Sequence, residues 1–472
     1  MQERGLEPRF SNAVQQQLAG IQGAALESGP QIHDLRALDW CSIDNDDSLD
    51  LDQLTVSEDL GHGRVRVLVA VADVDALVKK DSAIDRHAHI NTTSVYTSAQ
   101  VFPMLPERLS TDLSSLNQDQ DRMALVTEMV IERDAAIGPS KVYQAIVRNK
   151  AKLAYDAVSA WIDGQGALPD AAARVPGMAE QLRTQDEVAQ RLRQRRHAEG
   201  ALEFETFQPR AVFEDSRVVD IRQQVQNRAR QLIEELMIAA NVCTAHFLAR
   251  HGGSSLRRVV RSPERWARIV ALAAQYGSVL PRTPDNRALE LFLAQRRRAD
   301  PERFPDLSLV VVKLMGAGEY VVERAGAEPI GHFGLAERDY THSTAPNRRF
   351  PDLVTQRIVK ALLMHEPPPY DASELKALAA HCTAQEDATR KVERRLRKSE
   401  AALYLEPCIG QVYPAIVTGV TAHGTWVRIF TPPVEGMLVG HVPALDVGRK
   451  LRVRLLDTQV ERGFIDFCVE AG

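Results

Sequence analysis

Cysteine is scarce in this sequence. Five cysteines occur among 472 residues, and no two of them have the spacing of zinc ligands. We therefore expect reduced, mostly buried thiols in a cytoplasmic protein, and we do not expect a disulfide framework. The first residues, MQERGLEPRF, are charged and contain no apolar stretch, so a secretory signal is not expected either.

Long apolar runs are also missing. The longest, Val65–Ala72 and Leu307–Met315, are too short to cross a bilayer, so we expect no membrane association. Both runs predict buried strands. Hydrophobic residues nevertheless make up 44% of the chain, which is enough for a sizeable core. We expect a globular monomer.

Neither sign of charge is in large excess. The chain has 58 basic and 63 acidic residues, for a net charge of −5 at pH 7. A nucleic-acid-binding protein is often basic overall, so the total argues mildly against one, although phosphates respond to the local field of a cleft. The basic runs Arg191–Arg196, Leu256–Arg268 and Arg296–Arg298 are predicted on helices, where they form either solvated faces or a nucleic-acid contact.

The pattern of apolar residues divides the chain into three parts. Residues 37–150 are rich in strands, as in RVRVLVAVAD, where β-branched residues run together. A helical part follows, with QLIEELMIAANVCTAHFLARH ended by Gly252 and further helices predicted over 351–364 and 372–404. From about residue 406, short Val-, Ile- and Gly-rich strands predict a small Greek-key barrel.

The strongest chemical feature is a cluster of five aspartates within nine residues, Asp44 to Asp52. Crowded carboxylates raise each other's pKa unless a cation neutralises them, and Mg²⁺ prefers oxygen ligands. If Leu49–Leu54 is extended, Asp50 and Asp52 share one face while Leu49 and Leu51 share the other. The preceding loop then returns Asp44 to the aspartate face. This arrangement predicts a one- or two-metal site for phosphodiester hydrolysis.

The aspartate cluster has two other interpretations. From composition alone, a solvated acidic loop explains the cluster as well as a metal site does. An EF-hand calcium loop is excluded, because the sixth residue from Asp44 is Leu49 where glycine is needed, and the twelfth is Thr55 where glutamate is needed.

Several motifs in order extend this pattern. Ile43-Asp44 is followed after five residues by Asp50-Leu-Asp52, and IHDLRALDW lies upstream. Downstream come TSVYTSAQVFPMLPERLSTDLSSLNQDQDR, IEELMIAANVCTA and HFGLAERDYTHSTAPNRRFPDL. Over about residues 33–405 the sequence resembles the catalytic domain of the ribonuclease II family, and linked motifs in order are far more specific than one short pattern.

The resemblance implies a mixed α/β (α+β) domain that encloses a narrow channel. It implies a hydrolytic 3′→5′ exoribonuclease, in which single-stranded RNA enters by its 3′ end and nucleoside 5′-monophosphates leave. Asp44, Asp50 and Asp52 match catalytic or metal-binding aspartates, with Mg²⁺ expected and Mn²⁺ as the alternative. The fourth family aspartate corresponds to Gln53, which could ligate through its amide oxygen but brings no charge. Arg348 matches an arginine that stabilises charge on the scissile phosphate.

The same resemblance implies five RNA-binding residues. Tyr96 and Phe204 match a pair that clamps bases at the blind end of the channel, and base stacking on aromatic rings tolerates any sequence. Tyr155 matches a tyrosine that contacts RNA near the active site. Glu234 and Glu393 match acidic residues that contact the ribose or base near the 3′ end, where a 2′-hydroxyl distinguishes RNA from DNA.

The carboxyl-terminal part resembles an S1-type OB-fold domain that binds RNA. We therefore divide the chain into an amino-terminal segment (1–34), a ribonuclease II-type catalytic domain (35–405) and an S1-type domain (406–472). The first is too short for the cold-shock domains that family members commonly carry there. In the S1-type domain we predict a surface on which bases stack and a basic rim that follows the phosphates. For Trp426, a place in the barrel core is as well supported as a place on the stacking surface. The surface would consist of Tyr413, His423 and Trp426, and the rim of Arg428, Lys450, Arg452 and Arg454.

A function from another class remains open beside the nuclease. Gln53 favours a catalytically weakened protein that retains the channel and barrel and only binds RNA. Ala345 and Asn347, in the run that leads to Arg348, support this alternative.

Overall fold

The computed structural model describes residues 1–205, 209–214, 217–223, 226–324, 326–421, 424–442, 444–445 and 447–470. Within them lie eleven α-helices and seventeen strands. The helices are α1 (Asn12–Gly20), α2 (Ala83–Asn91), α3 (Tyr155–Ile162), α4 (Asp170–Ala173), α5 (Met178–Glu199), α6 (Arg228–His251), α7 (Trp266–Gln275), α8 (Asn286–Ala299), α9 (Phe304–Met315), α10 (Phe350–Leu363) and α11 (Ala372–Leu405). The strands are β1 (Ile32–Asp34), β2 (Trp40–Asp44), β3 (Gln53–Gly61), β4 (Arg64–Ala72), β5 (Val95–Tyr96), β6 (Val101–Phe102), β7 (Asp121–Ile131), β8 (Ile137–Ala154), β9 (Pro209–Glu214), β10 (Arg217–Gln223), β11 (Ser255–Val259), β12 (Glu319–Glu323), β13 (Val412–Thr421), β14 (Gly424–Ile429), β15 (Glu435–Leu438), β16 (Lys450–Gln459) and β17 (Phe464–Val469).

A six-stranded sheet forms the centre of the catalytic part, in the order β1-β8-β2-β3-β4-β7. The 18-residue strand β8 pairs antiparallel with β7 along its first part and parallel with β2 over its last residues. The sheet therefore closes on itself through β8. Strand β4 is the predicted apolar strand, and its last six residues are all buried, as expected for a strand covered on both faces.

Helix α6 lies in the core between the sheet and the site described below. Asn227 caps its amino end by accepting a hydrogen bond from the backbone N–H of Arg230, and Gly252 ends it, as the sequence predicts. The helix is long and apolar enough to span a membrane by length and composition alone, but 78% of its most apolar stretch is buried inside the protein. Its apolar residues therefore serve internal packing.

The predicted carboxyl-terminal barrel is confirmed. Five strands close in the order β13-β14-β15-β17-β16 around a core that includes Val427, Val453 and Phe467. The 34-residue helix α11 leads into it and buries Leu405 in that core. Arg428 is buried and forms a two-pronged ion pair with Asp306 of α9, with nitrogen–oxygen distances of 2.6 and 3.2 Å. The barrel is therefore attached to the catalytic part by a buried charge pair.

Two sequence predictions about secondary structure were wrong. Leu307–Met315 forms the last nine of the twelve residues of helix α9, not a strand. Pro305 stands in the first turn, and Phe304, Leu307 and Val311 are buried at spacings of three and four, which is a helical period. The basic run that starts at Leu256 begins in strand β11, not in a helix.

Strand β11 buries two arginines of that run, Arg257 and Arg258. Arg257 pairs with Asp339 at 2.8 Å, and Arg258 pairs with Glu386 at 2.6 Å. Both guanidiniums are therefore neutralised inside the protein and do not belong to an RNA path.

Candidate active site

The aspartate cluster forms the connection between β2 and β3. These strands pair antiparallel, with Cys41 opposite Thr55, so the end of one and the start of the other lie side by side. Asp44 is the last residue of β2 and Gln53 the first of β3. The eight residues between them therefore form a loop that brings both ends of the motif together.

Ser115 fixes the shape of this loop. Its hydroxyl donates to the carbonyl of Leu49 at 2.7 Å and accepts from the N–H of Leu51 at 3.0 Å. Leu51 is consequently buried, whereas Leu49 is 60% exposed. Strand β3 begins only at Gln53, so Leu49 to Asp52 belong to the loop, and the two leucines that were expected to share a face differ in exposure.

The loop borders a cavity of about 540 Å³. Helix α6, the start of α3 and the segment before α10 form its other walls. Six residues singled out from the sequence as site residues line it, together with Gln53. They are Asp44, Asp50, Tyr96, Tyr155, Glu234 and Arg348.

Asp52 lies just behind the wall and is almost fully buried, with 2% exposure. Its carboxylate accepts a hydrogen bond from the N–H of Asn347 at 3.0 Å and another from Nε of Arg348 at 3.1 Å. Burial raises the pKa of Asp52 to about 7 even though Arg348 favours the ionised form. Asp52 can therefore exchange a proton near neutral pH.

Tyr96 is held from two sides. Its hydroxyl donates to Asp50 at 3.1 Å, and its backbone N–H donates to the carboxylate of Glu393 at 3.0 Å. Burial raises the pKa of Asp50 and of the Tyr96 phenol. Glu393 thus reaches the site through Tyr96 and does not line the cavity itself.

The turn before α10 presents Arg348. Asp352, in the first turn of α10, accepts from the N–H of Ala345 at 2.9 Å and from Arg349 at 2.6 Å. Asn347 accepts from the hydroxyl of Ser114 at 2.6 Å. These bonds fix the turn, while the Arg348 side chain, paired with Asp52, remains 42% exposed toward the cavity.

Two further predicted RNA-binding residues occupy different places. Tyr155 starts α3, and the guanidinium of Arg230 lies over its ring at 4.4 Å from the centroid. Phe204 is not brought to the cavity. It packs beside Trp266 and Phe304 in a separate apolar cluster around α7 to α9, so the structure does not pair it with Tyr96.

The donor set suits a hard cation in part. Asp44, Asp50 and Gln53 offer only oxygen ligands to the cavity, and oxygen is what Mg²⁺ and Mn²⁺ prefer. In the described ranges, however, no three His, Cys, Asp or Glu side chains are grouped to hold one ion. Asp52 is instead turned toward Arg348.

Sequence reasoning missed four residues that shape the site. Ser114 and Ser115 lie in the Ser-Ser-Leu part of a quoted motif, which was the available signal for them. Arg230 and Asn45 are joined across the cavity wall by a hydrogen bond of 2.7 Å. Nothing in the sequence pairs these two, because 185 residues separate them.

Comparison with protein families covers most of the chain. Residues 32–365 match the RNB domain, and residues 411–470 match the RNase II-type exonuclease C-terminal S1 domain. The chain belongs to the RNB-domain family. The expected resemblance to ribonuclease II and the expected terminal S1 domain are both confirmed.

Individual relatives agree with this assignment. Ribonuclease R of Escherichia coli (strain K12) is 32% identical over 459 residues, which cover 93% of this chain and 54% of the relative. This RNB-domain chain spans about half the length of the curated relatives it matches.

Solved structures show the same fold. Mycoplasma genitalium RNase R in complex with ribose methylated single-stranded RNA matches with a TM-score of 0.89 at 20% identity, over 99% of this chain and 76% of that one. Yeast Ssd1, described as a pseudonuclease, matches with a TM-score of 0.70 at 18% identity, over 89% of this chain and 52% of that one. The fold is therefore shared by a ribonuclease and a pseudonuclease.

Proposed function

We propose that this RNB-domain chain is a hydrolytic 3′→5′ exoribonuclease that degrades single-stranded RNA to nucleoside 5′-monophosphates. The observation that carries the proposal is the single cavity lined by Asp44, Asp50 and Arg348 together with Tyr96 and Tyr155. Carboxylates, a guanidinium and aromatic rings are the groups needed to cleave a phosphodiester and hold the bases next to it. Its similarity to ribonuclease R supports the same reaction.

Asp44 and Asp50, with the amide oxygen of Gln53, would hold Mg²⁺ or Mn²⁺. Such a cation would lower the pKa of a bound water and neutralise charge on the phosphate. Gln53 contributes no charge where the family motif has an aspartate, so we expect weaker metal binding than a four-aspartate site would give.

Asp52 and Arg348 would perform the proton and charge steps. A base works best when its pKa lies near the working pH, and burial brings the pKa of Asp52 to about 7. Asp52 would accept the proton of the attacking water. The guanidinium of Arg348 is hydrogen-bonded to Asp52 in this structure and would turn to the scissile phosphate when RNA binds. The planar donors of a guanidinium match the phosphate oxygens.

The remaining residues would position the RNA. Tyr96 and Tyr155 would stack on or flank the terminal bases, at roughly 1–3 kcal/mol per stacked base. Glu234 lines the cavity on α6, and its pKa is raised by burial and by Glu235. It would accept a hydrogen bond from a ribose 2′-hydroxyl, which DNA lacks.

A digestion assay tests this proposal. We expect 5′-labelled single-stranded RNA to shorten from its 3′ end in Mg²⁺ and to stay intact in chelator. Asp52→Asn should lower kcat by roughly 10²- to 10⁴-fold, the usual contribution of a general base. Asp47→Asn is the matched control, because Asp47 is an exposed aspartate of the same loop. Equal activity of the two variants would remove Asp52 from the mechanism.

A catalytically weakened RNA-binding protein is the second candidate, favoured by Gln53 at the fourth aspartate position. It predicts tight RNA binding without product release. In that case Gln53→Asp should produce a large gain in activity in Mg²⁺. If the wild-type chain is an active nuclease, the same variant should mainly lower the Mg²⁺ concentration needed for half-maximal rate.

A further inference from the structure

Arg230 is a second arginine of the cavity, beside Arg348. It lies in the first turn of α6. Its guanidinium lies 4.4 Å from the ring centroid of Tyr155, and Nη2 donates to the side-chain oxygen of Asn45 at 2.7 Å. A neutral ring and a neutral amide thus hold this cation in place.

The surrounding arginines are neutralised, whereas Arg230 is not. Arg228, two residues earlier, forms two hydrogen bonds with Asp186, at 2.7 and 2.8 Å. Arg196 pairs with Glu235, and Arg349 pairs with Asp352. In the part of the chain that the structure describes, no carboxylate lies within ion-pair distance of the Arg230 guanidinium. An uncompensated cation therefore faces the cavity.

Hydrogen bonding gives an independent indication. Nε of Arg230 is buried and has no hydrogen-bond partner in the protein. A buried donor without an acceptor costs roughly 1–3 kcal/mol, so the arrangement favours an acceptor supplied from outside. Glu234 is one helical turn further along α6, but its carboxylate accepts from Gln226 instead. Arg230 therefore does not serve to neutralise Glu234.

We propose that Arg230 binds a backbone phosphate of the RNA, next to the scissile phosphate that Arg348 contacts. The ligand is a phosphodiester, because a guanidinium presents planar paired donors that match phosphate oxygens. Tyr155 supports the guanidinium over its ring, and Asn45 ties it to the aspartate loop. This inference rests on the proposed function, since it assumes that RNA enters the cavity.

The charges of the cavity agree with this role. Gln53 brings one carboxylate fewer to the cavity than the family motif would, and Arg230, tied to the aspartate loop through Asn45, adds one positive charge to its lining. Arg230 would then neutralise part of the phosphate charge that a bound cation would otherwise neutralise. We therefore expect measurable RNA binding in chelator, with Arg230 as a main contributor.

The test is RNA affinity in chelator, where no turnover occurs. Binding of a fluorescein-labelled 12-nucleotide oligo(A) is followed by anisotropy at several NaCl concentrations for the wild-type chain, Arg230→Gln and Arg230→Lys. Loss of one phosphate contact should lower the slope of log Kd against log salt by about 1 and weaken binding at every salt concentration. Arg230→Lys should keep the slope while losing affinity, because it keeps the charge but not the paired donors.

Arg250→Gln is the matched control. Arg250 is an exposed arginine of the same helix, about 30 Å away at 1.5 Å per residue. This variant should bind RNA as the wild-type chain does. If Arg230→Gln keeps the wild-type salt slope, or loses thermal stability without a change in slope, Arg230 has only a structural role and the inference fails.

The two proposals can fail separately. A chain that never hydrolyses RNA in Mg²⁺, but whose salt slope still falls in Arg230→Gln, would contradict the nuclease proposal and leave this inference intact. An active nuclease whose salt slope is unchanged in Arg230→Gln would support the nuclease proposal and contradict this inference.

Discussion

The cavity and the terminal barrel both carry arginines that are candidates for phosphate binding, but the two regions hold their arginines in different surroundings. In the cavity, Arg348 is 42% exposed and Arg230 has no ion-pair partner among the described residues. In the barrel, Arg428 is buried against Asp306, and Arg454 is bound by both carboxylate oxygens of Glu470.

The same contrast holds for the rest of the predicted barrel surface. Lys450 pairs with Glu302, whereas Arg452 is exposed. Trp426 is half-buried beside Gly419, while the next residue, Val427, fills the core. Tyr413 packs partly against that core, and His423 lies outside the described residues. A basic residue in a sequence thus indicates a phosphate contact only if its folded position leaves it open to the nucleic acid. Arg428 is buried, whereas Arg348 lines the cavity even though it pairs with Asp52.

The largest effect we expect in the barrel is on stability. Arg428→Ala leaves Asp306 buried and unpaired, which should cost roughly 3–5 kcal/mol of the free energy of unfolding. Lys450→Ala removes an exposed pair and should cost at most about 1 kcal/mol. Chemical denaturation of both variants is the measurement. A loss of RNA affinity in Arg428→Ala with unchanged stability would reverse our assignment of this arginine.

In the cavity the largest effect after Asp52→Asn should come from Arg348. Arg348→Ala should lower kcat by roughly 10²- to 10³-fold, as when one donor to a developing negative charge is removed. Single-turnover rates at saturating RNA measure it. Arg452→Ala, the exposed barrel arginine, should stay within about threefold of wild type, because an exposed phosphate contact influences binding more than the chemical step. Equal losses of kcat in Arg348→Ala and Arg452→Ala would show that the arginines of the cavity and of the barrel do not differ in role.

The raised pKa of Asp52 predicts how stability depends on pH without metal. Its pKa rises from an ordinary 3.8 to about 7 on folding. Its contribution is therefore complete below about pH 4 and is lost as the pH rises toward 7. Unfolding midpoints in chelator should fall over this range for the wild-type chain, relative to Asp52→Asn, which lacks the titrating group. A constant difference between the two from pH 5 to 8 would show that burial does not raise this pKa.

The smallest effect should come from Trp426. Trp426→Ala should weaken RNA binding by no more than one stacked base contributes, roughly 1–3 kcal/mol, and should leave kcat unchanged. Anisotropy with the same oligo(A) measures it. If this variant instead unfolds at much lower denaturant concentration, the indole belongs to the barrel core and not to a stacking surface.

Local patterns predicted much of the fold from the sequence. Helix α6, strand β4 and the terminal barrel have clear periods and end signals, and all three were predicted correctly. Leu307–Met315 was not, because a short apolar run fits a strand as well as a helix until the buried spacing is known.

The site was predictable in its residues but not in its contacts. Asp52 and Arg348 meet across 296 residues, and Ser115 reaches the aspartate loop across 64. Such pairings depend on how the sheet closes and on where α10 begins, which no local window contains. Phe204 illustrates the reverse case, since its neighbours draw it into an apolar cluster away from the cavity.

The most direct test of the account is the chemistry of the product. RNA digested in Mg²⁺ and H₂¹⁸O should yield nucleoside 5′-monophosphates that carry one ¹⁸O, detected by mass spectrometry, because water attacks the phosphorus and the 3′-oxygen leaves. Cyclic 2′,3′-phosphates or nucleoside 3′-phosphates would contradict metal-assisted hydrolysis at this site. Intact RNA, bound but never shortened, would leave only the weakened RNA-binding protein.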